Sequence, residues 1–508
     1  MGDLRYYVKV GFAHLFLCLF LFLNIGSNHA SQANNEADII DAYNEILSLK
    51  FNKGKEILDK IEPDEKSLGH YLYVQNLADI LELLLYENVE KYKEYDDNED
   101  DYLKELKSLS DSDPFKLFYE AEIKLQWALV KIQYGDDLKA GMALRSAWNT
   151  IQNNMEEFPE FSTNYKTHGL LHIVFGSIPD NYQWILRLLG IRGNIQHGMF
   201  ELDLVSRSSP FWLETRIVSS LVNINILNKA NTSHAFLRDL TYDYPENLLL
   251  KYLEGFTLKK AARSEEAQKV FSEISLLGGD YEPLALANYQ LGDIYLQKHD
   301  FHQSRSYYSK FLNEYKGENF VKDAWFKTAL TYYLQDNQKL ADVHFEKAED
   351  SGTTFTSADK NAQGILDEDD YPEKELMKVR LATDGGYYEQ ADRILSRLNE
   401  EMFPERLEKT IYYYRKARLK HKLKEYESAI YFYLFAIKKS GNENWYFAPS
   451  SSLNTGYIYR QRGDLEKAEF YFRQALAYKK HKYKSEIDVK ARVALASIVN
   501  RSNKKKKK

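Results

Sequence analysis

The chain is nearly without cysteine: Cys18 is the only one in 508 residues. It sits inside an N-terminal apolar run, so a body freed of that run holds no thiol. Disulfides, thiolate chemistry and cysteine metal sites are thereby excluded from the body. Proline and glycine are scarce, at 10 and 24, and no stretch rich in them marks a long linker. Neither sign of charge dominates. The net charge of -7 is what a solvated surface gives, and it argues against a dedicated nucleic-acid binder. Beyond residue 33 no apolar run is a candidate for the roughly 20 residues that cross a bilayer. Motifs of chemistry are missing as well. There is no G-x-S-x-G elbow and no glycine loop followed by Lys-Ser or Lys-Thr to cradle a phosphate. The acidic stretch 94–102 lacks the glycine and terminal glutamate of an EF-hand, and reads as a solvated loop.

What is present begins with residues 1–33, which read as a targeting segment. Arg5 and Lys9 give a positive start, 10–23 is almost wholly apolar, and Ser31-Gln32-Ala33 offers small residues where a signal peptidase cuts, with Ala30 as a second site. The expectation is an exported protein, in a bacterial periplasm or cell envelope. If the segment stays uncleaved, it becomes an anchor.

From residue 37 onward the apolar period is helical almost throughout. Ile39, Ile40, Tyr43, Ile46 and Leu47 form one stripe, and a turn at 51–54 leads to the next. A long helix is expected over 68–92. A spacing then recurs: a small residue, Ala twelve later, an aromatic four on, Ala three further. It stands at Ala329, Ala341, Phe345 and Ala348; at Ala417, Ala429, Tyr433 and Ala436; and at Gly456, Ala468, Phe472 and Ala475. Looser versions start at Ala128, Gly255 and Gly292. Two antiparallel helices that cross where the small residues meet, with an aromatic wedged between them, produce this pattern. Tyrosine, at 39, is correspondingly abundant. The organisation expected is degenerate pairs over 34–160, a central repeat region over 161–350, an acidic insert at 351–370, C-terminal repeats with a capping helix over 371–500, and a lysine-rich tail at 501–508.

With Trp325, Ala329 and Tyr332, or Leu291, Gly292 and Tyr295, this spacing resembles the tetratricopeptide repeat. The resemblance implies an all-α, right-handed superhelical solenoid whose first helices line a concave groove. It nominates Tyr289, Asp293, Leu296, Phe326, Leu330 and Tyr333 as lining residues, and Tyr414, Arg418, His421, Tyr457 and Arg460 further on. The carboxylate-clamp subtype, with Lys and Asn at such positions, is not matched. A second resemblance, to the tetratricopeptide repeat protein 39 family, rests on GLLHIVFGSIPDNYQWILRLLGIRGNIQHGMFEL from Gly169 and YPENLLLKYLEGFTLKKAARSEEAQKVF from Tyr244. It implies helical repeats without an established enzymatic activity.

His168 and His172 share a helix face, but Gly169 stands where a zincin needs its glutamate, and no third acidic ligand is evident in sequence. They read as buried helix histidines, and no metal, cofactor or catalytic residue is assigned. Asn231-Thr232-Ser233 and Asn500-Arg501-Ser502 fit glycosylation acceptors, which matter only in a eukaryotic secretory route. The function expected is a non-catalytic scaffold that binds a protein segment in its groove. The tail at 504–508 offers weak contact with a membrane or anionic surface. The other reading is an envelope protein for a glycan or lipid, with Trp445 and Tyr446 the nearest candidates.

Overall fold

The computed structural model describes residues 34–178, 190–227, 229–278, 281, 284–368 and 371–506. The targeting segment with Cys18, the Pro179-Asp180 junction, and Lys507 and Lys508 lie outside the described residues. Among the described residues the fold is all-helical, with no strand, and no helix is long and apolar enough to cross a membrane.

The helices pack as consecutive antiparallel pairs, forming a solenoid. The spacing rule operates through contact. A Cβ added at Gly292 would lie 2.6 Å from the Tyr308 ring, one at Gly255 2.9 Å from Phe271, and one at Gly456 2.7 Å from Phe472. The absent side chains are what let these rings enter the crossings, where all three are fully buried. Burying each ring contributes about 2–3 kcal/mol. The same crossing holds in the first pair, Asn34–Leu47 with Phe51–Leu58, where a Cβ on Gly54 would meet Ile46 at 2.4 Å. Residues 51–54 are therefore the first turn of a helix, not the turn expected from sequence.

Two further expectations are corrected. The helix from Leu68 ends at Tyr86, because Glu87 takes a left-handed conformation at φ 52°. The acidic stretch near 94–102 contains the start of a helix, Asn98–Leu106. Glu99, Asp100 and Asp101 occupy its first turn, where the helix dipole favours negative charge. Asn98 and Tyr102 donate to buried Asp79 at 2.8 and 2.7 Å.

The core is continuous from Ile39 to Ala324, then divides into smaller clusters between successive pairs. Near its N-terminal end it contains a charged centre. Lys166 lies between Glu122 and Glu214, 2.9 Å from the latter, and the hydroxyls of Tyr43 and Tyr73 donate to Glu214 at 3.2 and 3.1 Å. The stack is not uniform. The insert carries a helix, Ser357–Leu366, packed on Val321–Tyr333, and the next pair, Lys374–Gly385 with Tyr388–Leu395, returns to pack on Ala285–Lys298. The final helix, Lys484–Lys506, covers the last pair with Ile487, Ala491, Ala494 and Ile498. Val489 on the same helix joins the large N-terminal core, and Gln196 donates to the carbonyl of Val493 at 3.2 Å. The final helix is thus held beside the central helices at Val489 and Val493.

Candidate functional site

The residues nominated from sequence separate into three groups. Tyr289 and Asp293 are one turn apart on Ala285–Lys298 and share Lys327. The ammonium of Lys327 donates to the Tyr289 hydroxyl at 3.0 Å and to Asp293 at 2.6 Å, and it pairs with Asp323 at 2.6 Å. Tyr289 donates to Asp323 and Tyr308 to Asp293, each at 2.6 Å, and Lys259 donates to Asp293 from the preceding pair. Burial opposes charge on Asp293, but Lys259 and Lys327 outweigh it and hold the carboxyl well below its ordinary range. Burial dominates at Lys259 and lowers its amine to about 8. These groups spend their polar atoms on one another.

The second group is apolar and enclosed. Leu296, Phe326 and Leu330 are buried together with Leu366 and Met377. Tyr333 stacks on Tyr371 at 4.2 Å, with Lys374 over its ring. The third group bridges the C-terminal pairs. Tyr414 hydrogen-bonds Ser450 at 2.7 Å and Arg418 pairs with Asp384 at 2.8 Å. His421 lies 3.2 Å from the Tyr433 hydroxyl, and burial lowers it to about 4. Tyr457 meets Phe472 edge-on, and the Arg460 guanidinium lies over Tyr457 at 5.0 Å. Trp445 takes Arg406 over its ring and Tyr446 packs on Phe447.

Arg460 alone of the nominated residues lines a cleft of about 700 Å³ between 196–236 and 460–497. Its walls include Phe200, Arg216, Phe236 and Val493. Phe200 is 59% exposed, while Arg216 is held by Asp203 at 2.5 Å. Sequence reasoning missed the cleft because its walls are joined only by the return of the final helix. Phe200 carried no signal of its own.

Beside the cleft the helices Asn164–Ser177 and Ile195–Leu204 cross at two glycines. A Cβ on Gly198 would lie 2.3 Å from the carbonyl oxygen of Gly169, so only glycine permits this approach. Asn194 caps the second helix by accepting the His197 N–H at 3.0 Å. The crossing brings His168 and His172 against Glu201. His168 Nδ1 is 2.8 Å from Glu201 Oε1, His197 Nε2 is 3.3 Å from the same oxygen, and His172 Nε2 is 3.9 Å from Oε2. The acidic third ligand absent from the local sequence is thus supplied by the crossing helix. His197 and Glu201, four apart like His168 and His172, were the available signal.

The tetratricopeptide repeat family profile matches residues 285–315 and 450–482. It does not reach 169–275, and the resemblance of that stretch to the tetratricopeptide repeat protein 39 family is not confirmed by it. No curated protein matches the chain. Solved structures that resemble it include the human IFIT1 dimer with PPP-AAAA, at 12% identity over 94% of this chain and 99% of that one, TM-score 0.35. The apo quorum sensor NprR from B. thuringiensis matches at 12% identity over 87% and 98%, TM-score 0.31. The APC/C hetero-tetramer Cut9-Hcn1 matches at 14% over 91% and 90%, TM-score 0.27. At such scores these likenesses say nothing of a ligand. The profile and the crossings agree on the repeat itself, and over 285–315 and 450–482 the chain is built of tetratricopeptide repeats.

Proposed function

We infer that this protein is an exported, non-catalytic scaffold that holds a segment of a partner protein in the cleft between 196–236 and 460–497. The observation that carries this reading is that Phe200, which is exposed, and Arg460 both line this cleft. Aromatic and arginine side chains are the usual anchors of protein interfaces. The other residues nominated along the first helices are engaged by their neighbours, and none of them lines this cleft. A rigid helical frame also limits the ordering cost of association. Export follows from the positive start, apolar run and small residues of 1–33.

Crosslinked capture of the tagged protein from its source cells tests the reading, with wild type compared to Phe200→Ala combined with Arg460→Ala. A protein captured by wild type and lost from the variant supports the cleft. As a control, Tyr431→Ala with Phe470→Ala removes two exposed aromatics at matching positions on successive second helices. Capture lost only there would move the binding surface away from the cleft and overturn the assignment. N-terminal sequencing of the protein from those cells tests cleavage.

A further inference from the structure

We propose that His168, His172, Glu201 and His197 form a binding site for a divalent transition-metal ion of the zinc class. The site is made by two four-residue spacings on two crossing helices. His168 and His172 project from one, His197 and Glu201 from the other, and in a helix residues four apart share a face. The Gly169–Gly198 contact sets the two faces close enough for their donors to converge. Ligand atoms of His168, His172 and Glu201 all lie within 4.8 Å of one another. A tetrahedral ion with bonds of about 2.0–2.2 Å separates its ligands by roughly 3.3–3.5 Å. His168 and His197 lie 2.8 and 3.3 Å from Glu201 Oε1 and His172 lies 3.9 Å from Oε2, separations on either side of that value. A bound ion would replace the direct His168–Glu201 hydrogen bond and draw the donors around itself.

A second observation points to a missing cation. Glu201 is 4% exposed, and its Oε2 has no hydrogen-bond partner. A buried carboxylate oxygen is normally satisfied. Among the described residues its ion-pair partners are His168, His172 and His197, with no lysine or arginine. The contrast with Glu122 and Glu214, which close on Lys166, is direct. A dication among these donors supplies the absent charge and fills the open oxygen.

Three imidazoles and one carboxylate suit zinc, and also nickel, cobalt or copper, whereas magnesium and calcium require oxygen donors. Trp148 walls the site, stacked on His168 at 4.9 Å and edge-on to His172 at 5.1 Å. His197 forms its outer edge, half exposed and stacked near Phe200 of the cleft. The proposal does not depend on the partner-binding reading, because metal can be measured on the isolated protein.

The test is Zn²⁺ titration by calorimetry of purified, chelator-stripped full-length protein, together with the visible spectrum of the Co²⁺ form. One ion per chain and a tetrahedral Co²⁺ spectrum are expected. His197→Ala alters a half-exposed side chain and should leave the fold intact; it is expected to weaken binding at least tenfold. His172→Ala with Glu201→Gln is expected to weaken it about 100-fold or more, beyond the cost of removing a supporting partner. Circular dichroism checks folding of each variant, and His344→Ala serves as a control outside the site. Wild type that is folded and binds no ion overturns the proposal. So does a folded double variant that binds as tightly as wild type.

Discussion

The carboxylate of Glu87 accepts the backbone N–H of Asn319 at 3.0 Å across 232 residues of chain. Its other oxygen accepts the Asn319 side-chain amide and that of Gln133, the latter at 3.2 Å. The end of Leu68–Tyr86 is thereby fastened to the entry of Val321–Tyr333. Asp359 holds the next residues, accepting the N–H of Phe320 at 2.7 Å and of Asp323 at 3.0 Å. Both carboxylates are buried, and burial outweighs their hydrogen bonds, raising Glu87 to about 7 and Asp359 to about 6.

This gives stability a definite pH dependence. Between the ordinary glutamate value of 4.5 and about 7, the folded chain holds a proton on Glu87 that the unfolded chain has released. The contribution of Glu87 is therefore full below 4.5 and is lost as pH rises through about 7. The change is on the order of 3 kcal/mol. Thermal midpoints of wild type and Glu87→Gln, followed from about pH 4.5 to about pH 8, isolate the effect by difference. The advantage of wild type should shrink across this range. A constant difference between the two proteins would refute the buried-proton account.

The turns inside the pairs share a feature that no residue type announces. Seven positions after the small crossing residues Ala42, Gly255, Gly292, Ala329 and Ala417, the backbone turns left-handed at Leu49, Ala262, His299, Asp336 and Lys424, with φ of 61, 60, 66, 60 and 62°. Glycine fills the same place at Gly135 and Gly463, with φ of 85 and 84°. The close crossing fixes where the chain must reverse, and the residue there accepts the conformation. For a non-glycine residue that costs about 1–2 kcal/mol, partly offset by the greater freedom glycine loses on folding. Lys424 is exposed, and nothing lies within 4 Å of a Cβ on Gly463. Lys424→Gly should therefore raise stability by about 0.5–1 kcal/mol and Gly463→Lys lower it comparably. Urea midpoints decide the matter, and a Lys424→Gly protein no more stable than wild type would show that the turn is unstrained.

Legibility in the sequence followed distance along the chain. Gly292 with Tyr308, and Gly456 with Phe472, are sixteen apart and reveal their crossing by spacing. The left-handed turns were hidden because tertiary packing, not glycine, sets them at Lys424 and Ala262. The helix beginning at Asn98 was hidden because an acidic first turn looks like a solvated loop until Asp79 supplies its hydrogen bonds. Glu201 meets the histidines through the crossing of two helices, and its four-residue spacing from His197 was the one local signal of it. The cleft lined by Phe200 and Arg460 instead depends on contacts between separate pairs, which no local pattern encodes. The groove positions show the same limit from the other side. The resemblance placed Tyr289 and Asp293 on the right helix, but could not say that Lys259 and Lys327 from flanking pairs would engage them.

That engagement makes Asp293 a decisive residue. If it serves a partner directly, Asp293→Asn should abolish capture and leave the fold nearly unchanged. The geometry predicts the opposite. Asp293 stands between Lys259 and Lys327 and accepts from Tyr308, so loss of its charge leaves two enclosed ammonium groups with reduced compensation. Breaking a buried pair costs about 3–5 kcal/mol. The amine of Lys259, already lowered to about 8, can shed its proton and recover part of this. The expected result is a lower thermal midpoint for Asp293→Asn, with partner capture retained at temperatures where the variant is folded. Lys327→Met should also destabilise, because it leaves Asp293 and Asp323 without their shared cation. An unchanged midpoint with lost capture would return Asp293 to the binding surface.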